Sequence, residues 1–373
     1  MGQVLSEPIT TKHTTLHENS NLRVASSAMQ GWRTTMEDAH TCMMSIKEDP
    51  GSQFFGVFDG HGGTKIAQYS CKHLPHRVCS RLEYKTGQVE SAAKKAFLDL
   101  DKEMMTNAEL ANDFSGSTAC CVLIRQNKLY CMNVGDSRAI ASIKGLPLSL
   151  SYDHKPNNIG EQTRIVKAGG FVELNRVNGN LALSRALGDF SFKRNLKKQQ
   201  DEQIVSALPD VTVHDINTDL EFVVVACDGI WDVLSNVEVV EFCRQRIANQ
   251  MEPTKVCEEL ISRCLATECN QGGLGCDNMT VILICFTHAG DSYAHLAKRC
   301  SRPSNLLGGG GGNSSSSQNQ ARGGHPVANG ASFNTSPLGI TSLGSSSRTN
   351  PHLQPAGASS KLYLNGSRSS WKY

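Results

Sequence analysis

The sequence predicts an α+β fold, and three observations carry that prediction. Short apolar runs bounded by turn residues read as buried strands. Longer amphipathic stretches read as helices. The two kinds come in clusters, hairpin strands beside pairs of helices, instead of the strict alternation of a βαβ chain.

The elements follow in order through a body from about Asn21 to His288, preceded by a segment of residues 1–20. Phe54–Phe58 is the first expected strand, and Thr64–Leu82 and Val89–Ala108 form a helix pair. Thr118–Ile124 and Leu129–Val134 are consecutive strands, and Glu161–Ala168 is a short helix. Phe222–Cys227 and Met279–Phe286 are apolar strands on either side of the helices Asn236–Asn249 and Pro253–Thr267. Residues 289–373 change character. Asp291–Cys300 either extends the last helix or frays. Gly308–Gly312 and Ser314–Ser317 open a stretch rich in Gly, Ser and Asn, too polar to offset its ordering entropy, so disorder is expected from about residue 301 onward.

Composition excludes several classes. The chain has 373 residues, 39% of them hydrophobic and 19% charged, ample for a core. No apolar run is long enough to span a membrane, and the N-terminus lacks the apolar stretch of a signal peptide. A cytoplasmic protein is expected. The 14 cysteines include Cys131, Cys227 and Cys285 inside strand-like runs, where they read as small core hydrophobes. No CxxC pair points to zinc, and reduced thiols are expected. Residues 289–373 carry eight basic side chains (Lys298, Arg299, Arg302, Arg322, Arg348, Lys361, Arg368, Lys372) against Asp291 alone. The body is therefore mildly acidic, which disfavours nucleic acid as a partner and suits cation binding.

The informative pattern is where the acids fall. Phe54–Phe58 runs straight into Asp59-Gly60-His61-Gly62-Gly63, and Phe222–Cys227 runs into Asp228-Gly229-Ile230-Trp231-Asp232. Asp277 precedes the strand Met279–Phe286, Asp136 follows Asn133-Val134-Gly135, and Glu37 and Asp38 stand together near the start. An anion at the tip of a buried strand is costly unless it is paired or binds a metal. Carboxylates, carbonyls and water are hard ligands, matched to Mg²⁺ or Mn²⁺ rather than to zinc or copper. A single Asp-Gly after a strand is more often a plain turn. Four acids at strand ends, with Gly-His-Gly-Gly after one of them, outweigh that reading. Two ions ~4 Å apart activate water and clamp the attacking and leaving oxygens of a phosphate ester. Arg33, four residues before Glu37, suits the non-bridging oxygens, and His61 beside Asp59 suits the leaving oxygen. Taken alone, each is more simply a surface arginine and a turn histidine.

Gln30-Gly31-Trp32-Arg33-Thr34-Thr35-Met36-Glu37-Asp38-Ala39-His40 resembles the opening motif of the metal-dependent protein phosphatases of type 2C. Phe58–Gly63, Gly135–Arg138, Ser184–Asp189, Ala226–Asp232 and Asp277–Thr280 resemble further blocks of that family, in the same order, over essentially all of residues 21–288. Ile230 replaces the usual Leu, a swap of similar volume. The resemblance implies a four-layer α-β-β-α sandwich of two antiparallel sheets flanked by helix pairs. It implies hydrolysis of phosphoserine and phosphothreonine in proteins by in-line attack of a water bridging two divalent cations. Asp59, Asp228 and Asp277 would hold one ion; Glu37, Asp59 and the Gly60 carbonyl would hold the other. Asp38 would hydrogen-bond the activated water, Arg33 would bind phosphate and His61 would protonate the leaving oxygen. A weaker third ion is implied near Asp136, Asp228 and Asp232, and a mobile flap around Asn157–Asn178. Relatives of this type are mostly monomers.

Two alternatives stand beside the phosphatase: an inactive, phosphoprotein-binding scaffold, which usually lacks a metal ligand, and a two-metal phosphodiesterase, which the missing basic face disfavours. Finally, Met1-Gly2-Gln3-Val4-Leu5-Ser6 fits the N-myristoylation pattern, which predicts reversible membrane association through Gly2.

Overall fold

The computed structural model describes residues 4–269, 273–288 and 292–303. The expectations for Gly2 and for the chain beyond Pro303 lie outside them.

Two antiparallel sheets lie at the centre. The first has six strands in the order Val4–Glu18, Leu22–Arg33, Met279–Phe286, Leu220–Ala226, Arg138–Ile143 and Leu146–Ser149. The second has five, in the order Asp210–Asp215, Lys128–Val134, Ala119–Arg125, Gln53–Phe58 and Ala39–Met43. Side-chain alternation on these strands builds the layers. Phe54 and Phe58 pack with Leu74 and Phe97 of the helices Lys65–Cys79 and Val89–Thr106. Phe55 and Val57 pack with Val223 and Ile282 of the other sheet. Phe222 and Val224 turn outward to Val240, Leu260 and Leu296 of the helices Asn236–Ala248, Pro253–Cys264 and Tyr293–Cys300. A strand buried on both faces has no polar side, which is why these segments read as unbroken apolar runs. Three cores separate four layers, helix, sheet, sheet and helix, as expected.

Several elements differ from the sequence expectation. Val4–Glu18 is a long edge strand paired with Leu22–Arg33, from Val4 opposite Arg33 to Glu18 opposite Arg23. Its polar, exposed residues hide it from an apolar-run criterion. Leu22–Arg33 is hidden for another reason: small polar residues, Ser26 and Ser27, occupy fully buried positions. The expected helix Thr64–Leu82 breaks at Ser80, because Arg81 is extended and starts a separate turn, Leu82–Lys85. Tyr293–Cys300 is a helix of its own, and its Leu296 and Cys300 enter the core. Reduced cysteines were expected throughout, but Cys269 and Cys276 are joined by a disulfide in the loop before Asp277. Both lie outside the apolar runs that supported the core-hydrophobe reading. No helix among the described residues is long and apolar enough to cross a membrane.

Candidate metal centre

The sandwich brings its acids to one edge. Asp59 leaves the end of Gln53–Phe58 in the five-stranded sheet. Asp228 leaves the end of Leu220–Ala226, and Asp277 precedes Met279–Phe286, both in the six-stranded sheet. Asp136 lies in the turn between Lys128–Val134 and Arg138–Ile143, where the chain passes from one sheet to the other. Glu37 and Asp38 lie between Leu22–Arg33 and Ala39–Met43, which is also a sheet-to-sheet crossing. Arg33, Glu37, Asp59, Gly60, His61, Asp136, Asp228 and Asp277 line one cleft of about 450 Å³. Gly60 is required by close approach: a Cβ there would stand 2.3 Å from the Glu37 carbonyl oxygen.

Within the cleft, ligand atoms of Asp59, Asp136 and Asp228 all lie within 4.8 Å of one another, as do those of Asp38, Asp59 and Cys227. Asp59 belongs to both groups. Burial pushes the Asp38, Asp59 and Asp228 carboxyls up from the usual carboxylate range, and neighbouring acids push them further. Asp228 and Asp38 act on Asp59, Asp136 and Asp277 act on Asp228, and Asp277 and Glu37 act on Asp38. The hydrogen bond from Thr280 opposes the shift at Asp38.

These residues fit hard divalent cations. Asp38 accepts from Thr280 Oγ1 at 2.6 Å through Oδ2, while its buried Oδ1 has no hydrogen-bond partner among the described residues. Asp59 and Asp228 form no ion pair among the described residues. A cation shared by such oxygens removes both the repulsion and the orphaned acceptor. Cys227 does not fit as a ligand of a hard ion. Its thiol is buried and pushed far up by burial and by Asp38, Asp59 and Asp228, so it remains a thiol, which donates to the Asn278 carbonyl at 3.5 Å.

Arg33 lines the cleft with its guanidinium paired to Asp277. His61 Nε2 lies 2.8 Å from Asp189 Oδ2. Burial alone would lower the His61 pKa, but the Asp189 carboxylate reverses the sign and raises it. A short three-stranded sheet explains the pair. Gly116–Ser117 is flanked by Gly60–His61 on one side and Leu187–Gly188 on the other, so His61 and Asp189 meet across Gly116. Glu37 and Asp277 line the cleft but lie outside the two tight groups. Asp232 is more remote: it caps the short helix Asp228–Trp231, exposed and outside the cleft lining.

Sequence reasoning did not single out four supporting side chains. Asn278 accepts from the Glu37 backbone N–H at 2.9 Å and donates to the Gln30 and Thr35 carbonyls at 2.8 and 2.9 Å, which fixes the loop carrying Glu37. Thr280 orients Asp38, Asp189 orients His61, and Lys155 pairs with Asp136. Asn278, Thr280 and Asp189 lie within segments already noted for their motifs, but no spacing rule reveals their partners.

Residues 22–272 match the family described as protein phosphatase 2C. A probable protein phosphatase 2C of Caenorhabditis elegans is 52% identical over 308 residues, covering 83% of this chain and 86% of that protein. Protein phosphatase 2C homolog 2 of Schizosaccharomyces pombe is 45% identical over 293 residues, covering 77% and 79%. Among solved structures, a phosphatase from Toxoplasma gondii superposes with a TM-score of 0.65 at 27% identity, covering 76% of this chain and 97% of that one. A converging cluster of carboxylates at one edge of a four-layer sandwich is thus joined to high identity over most of the chain, and this chain belongs to the protein phosphatase 2C family of metal-dependent protein serine/threonine phosphatases.

Proposed function

We propose that the cleft hydrolyses phosphoserine and phosphothreonine esters of protein substrates with two Mg²⁺ or Mn²⁺ ions. Asp59, Asp228 and Asp277 would hold one ion, and Glu37, Asp59 and the Gly60 carbonyl would hold the other. When bound, the cations lower the pKa of water and neutralise charge on the phosphoryl oxygens. Asp38, held by Thr280, orients the attacking water through its free oxygen. Arg33 draws the phosphate into the cleft once its bond to Asp277 is exchanged for one to the ester, and His61, held by Asp189 through Nε2, gives the proton of its other ring nitrogen, Nδ1, to the departing seryl or threonyl oxygen. Asp136, with Asp228 and Asp232, would hold a weaker third ion.

The observation that carries this reading is the all-carboxylate group of Asp59, Asp136 and Asp228, whose ligand oxygens lie within 4.8 Å of one another. Asp59→Asn is expected to abolish phosphopeptide hydrolysis and to reduce the number of Mn²⁺ ions taken up in equilibrium dialysis. Full turnover after exhaustive metal removal overturns the reading.

We further propose that the chain acts as a monomer and that a myristoyl group on Gly2 gives reversible membrane contact. Val4, two residues on, pairs with Arg33 at the cleft end of its strand, so such an anchor would hold the cleft near the lipid surface. An unchanged cytosol-to-membrane partition in Gly2→Ala would remove this part.

A further inference from the structure

The turn that carries Asp136 is fastened to a second segment, Asp153–Lys155, by contacts along its length. Arg138 donates through Nε and Nη2 to the two oxygens of Asp153, at 2.9 and 2.8 Å. The Gly135 N–H donates to His154 Nδ1 at 3.1 Å, and the His154 N–H donates to the Gly135 carbonyl at 3.0 Å. Flanked by these contacts, the Lys155 ammonium pairs with Asp136 Oδ2.

His154 is itself locked. Its ring is buried, its Nε2 lies 3.1 Å from Asp210 Oδ2, and its carbonyl accepts from Ser184 Oγ at 2.9 Å. The position of Lys155 is therefore set by its neighbours and is not the free choice of a surface side chain. Asp136 is almost wholly buried, and its carboxylate is one of the three whose oxygens lie within 4.8 Å of one another. An ammonium that occupies an oxygen of Asp136 and a divalent ion that uses the same oxygen exclude each other. Tethering keeps the ammonium at a high effective concentration whatever the metal level.

We propose that Lys155 is a built-in competitor of the third cation, which weakens that ion's binding at Asp136 while leaving the first two sites free. This rests on the proposed role of Asp136 as a ligand. When the third ion enters, the ammonium must leave Asp136, so occupancy at that position responds to cation concentration in a range set by Lys155.

The test is Mn²⁺ binding to the full chain, followed by calorimetry and by the electron paramagnetic resonance of free Mn²⁺. Wild type should take up two ions tightly and a third weakly. Lys155→Met should bind the third roughly tenfold or more tightly, the equivalent of one partly buried ion pair, with the first two unchanged. Lys155→Arg, which keeps the charge, should resemble wild type. Adding Asp136→Asn to Lys155→Met should abolish the gain. Third-ion binding within twofold of wild type in a folded Lys155→Met overturns the proposal, as does a gain that survives loss of Asp136. Failure of wild type to bind even two ions would overturn the metal assignment itself, which is a different result from an unchanged third site.

Discussion

A methyl group at position 116 would stand 2.2 Å from Asp189 Oδ2 and 2.4 Å from His61 Nε2. The Gly116 backbone is the narrow gap across which those two side chains meet, so Gly116→Ala must push them apart. Asp189 has little freedom to follow, because it is buried and held in the left-handed region at φ 50°. The variant therefore separates orientation of His61 from its chemical identity. A general acid matters most when the leaving oxygen is a poor one, and its contribution is about 10²-fold or more. Gly116→Ala should slow hydrolysis of a phosphoserine peptide by about that factor while slowing p-nitrophenyl phosphate, with its good leaving group, much less. Steady-state kcat on the two substrates checks this. An equal loss on both would assign the pair a structural role only.

At the scale of elements, the helix Ile159–Lys167 and the ribbon Val172–Glu173/Arg176–Val177 form the segment beside the cleft, and Arg176 reaches its lining. One carboxylate ties this helix down. Glu161 pairs with Arg164 and Arg185 and accepts from Ser184 Oγ at 2.7 Å, and Arg185 continues to Asp210. Burial would raise the Glu161 pKa, but the two guanidinium groups outweigh it and hold it down to about 2, from 4.5. A depressed folded-state value contributes stability fully above the unfolded value, loses it as pH falls from about 4.5 to about 2, and contributes nothing below. Asp210, also held low by His154 and Arg185, adds to the same acid limb. Glu161→Gln should cost roughly 3 kcal/mol at neutral pH. The cost should shrink through that window until variant and wild type converge. Thermal melts across pH test it, and a constant difference at all pH values would contradict it. Such a network could not be read from the sequence, because its members come from four segments joined only by topology. The strands Gln53–Phe58, Leu220–Ala226 and Met279–Phe286 were legible because burial on both faces leaves an apolar run, and the acids at their tips were legible for the same reason. Val4–Glu18 was not, since an exposed edge strand carries no such run. Asp189 was not assigned to His61 because 128 residues separate them.

For the whole molecule, the position of the acids couples metal binding to the packing of the sandwich. Asp59 belongs to one sheet, while Asp228 and Asp277 belong to the other. Without a cation the edge where the sheets meet gathers like charges in a buried place, and that repulsion acts against closure of the two layers. A cation held between Asp59 and Asp228, as proposed above, would change the sign of the interaction and tie the two sheets together. Ligand that binds only the folded state adds about 2.7 kcal/mol at a hundred times its Kd. In a domain of this size that corresponds to a rise of roughly 4–6 °C in melting temperature. Saturating Mn²⁺ should therefore raise the melting temperature of wild type, and chelation should reverse it. Asp59→Asn separates the two contributions. It removes one of the repelling charges, so its metal-free form should melt at or above the metal-free wild type. It would also remove the proposed shared ligand, so most of the Mn²⁺-dependent rise should vanish. Scanning calorimetry of both proteins with and without Mn²⁺ reads all four states. A metal-free variant that melts well below metal-free wild type would show that Asp59 serves the fold in its own right, and the conflict between stability and function at this edge would not exist.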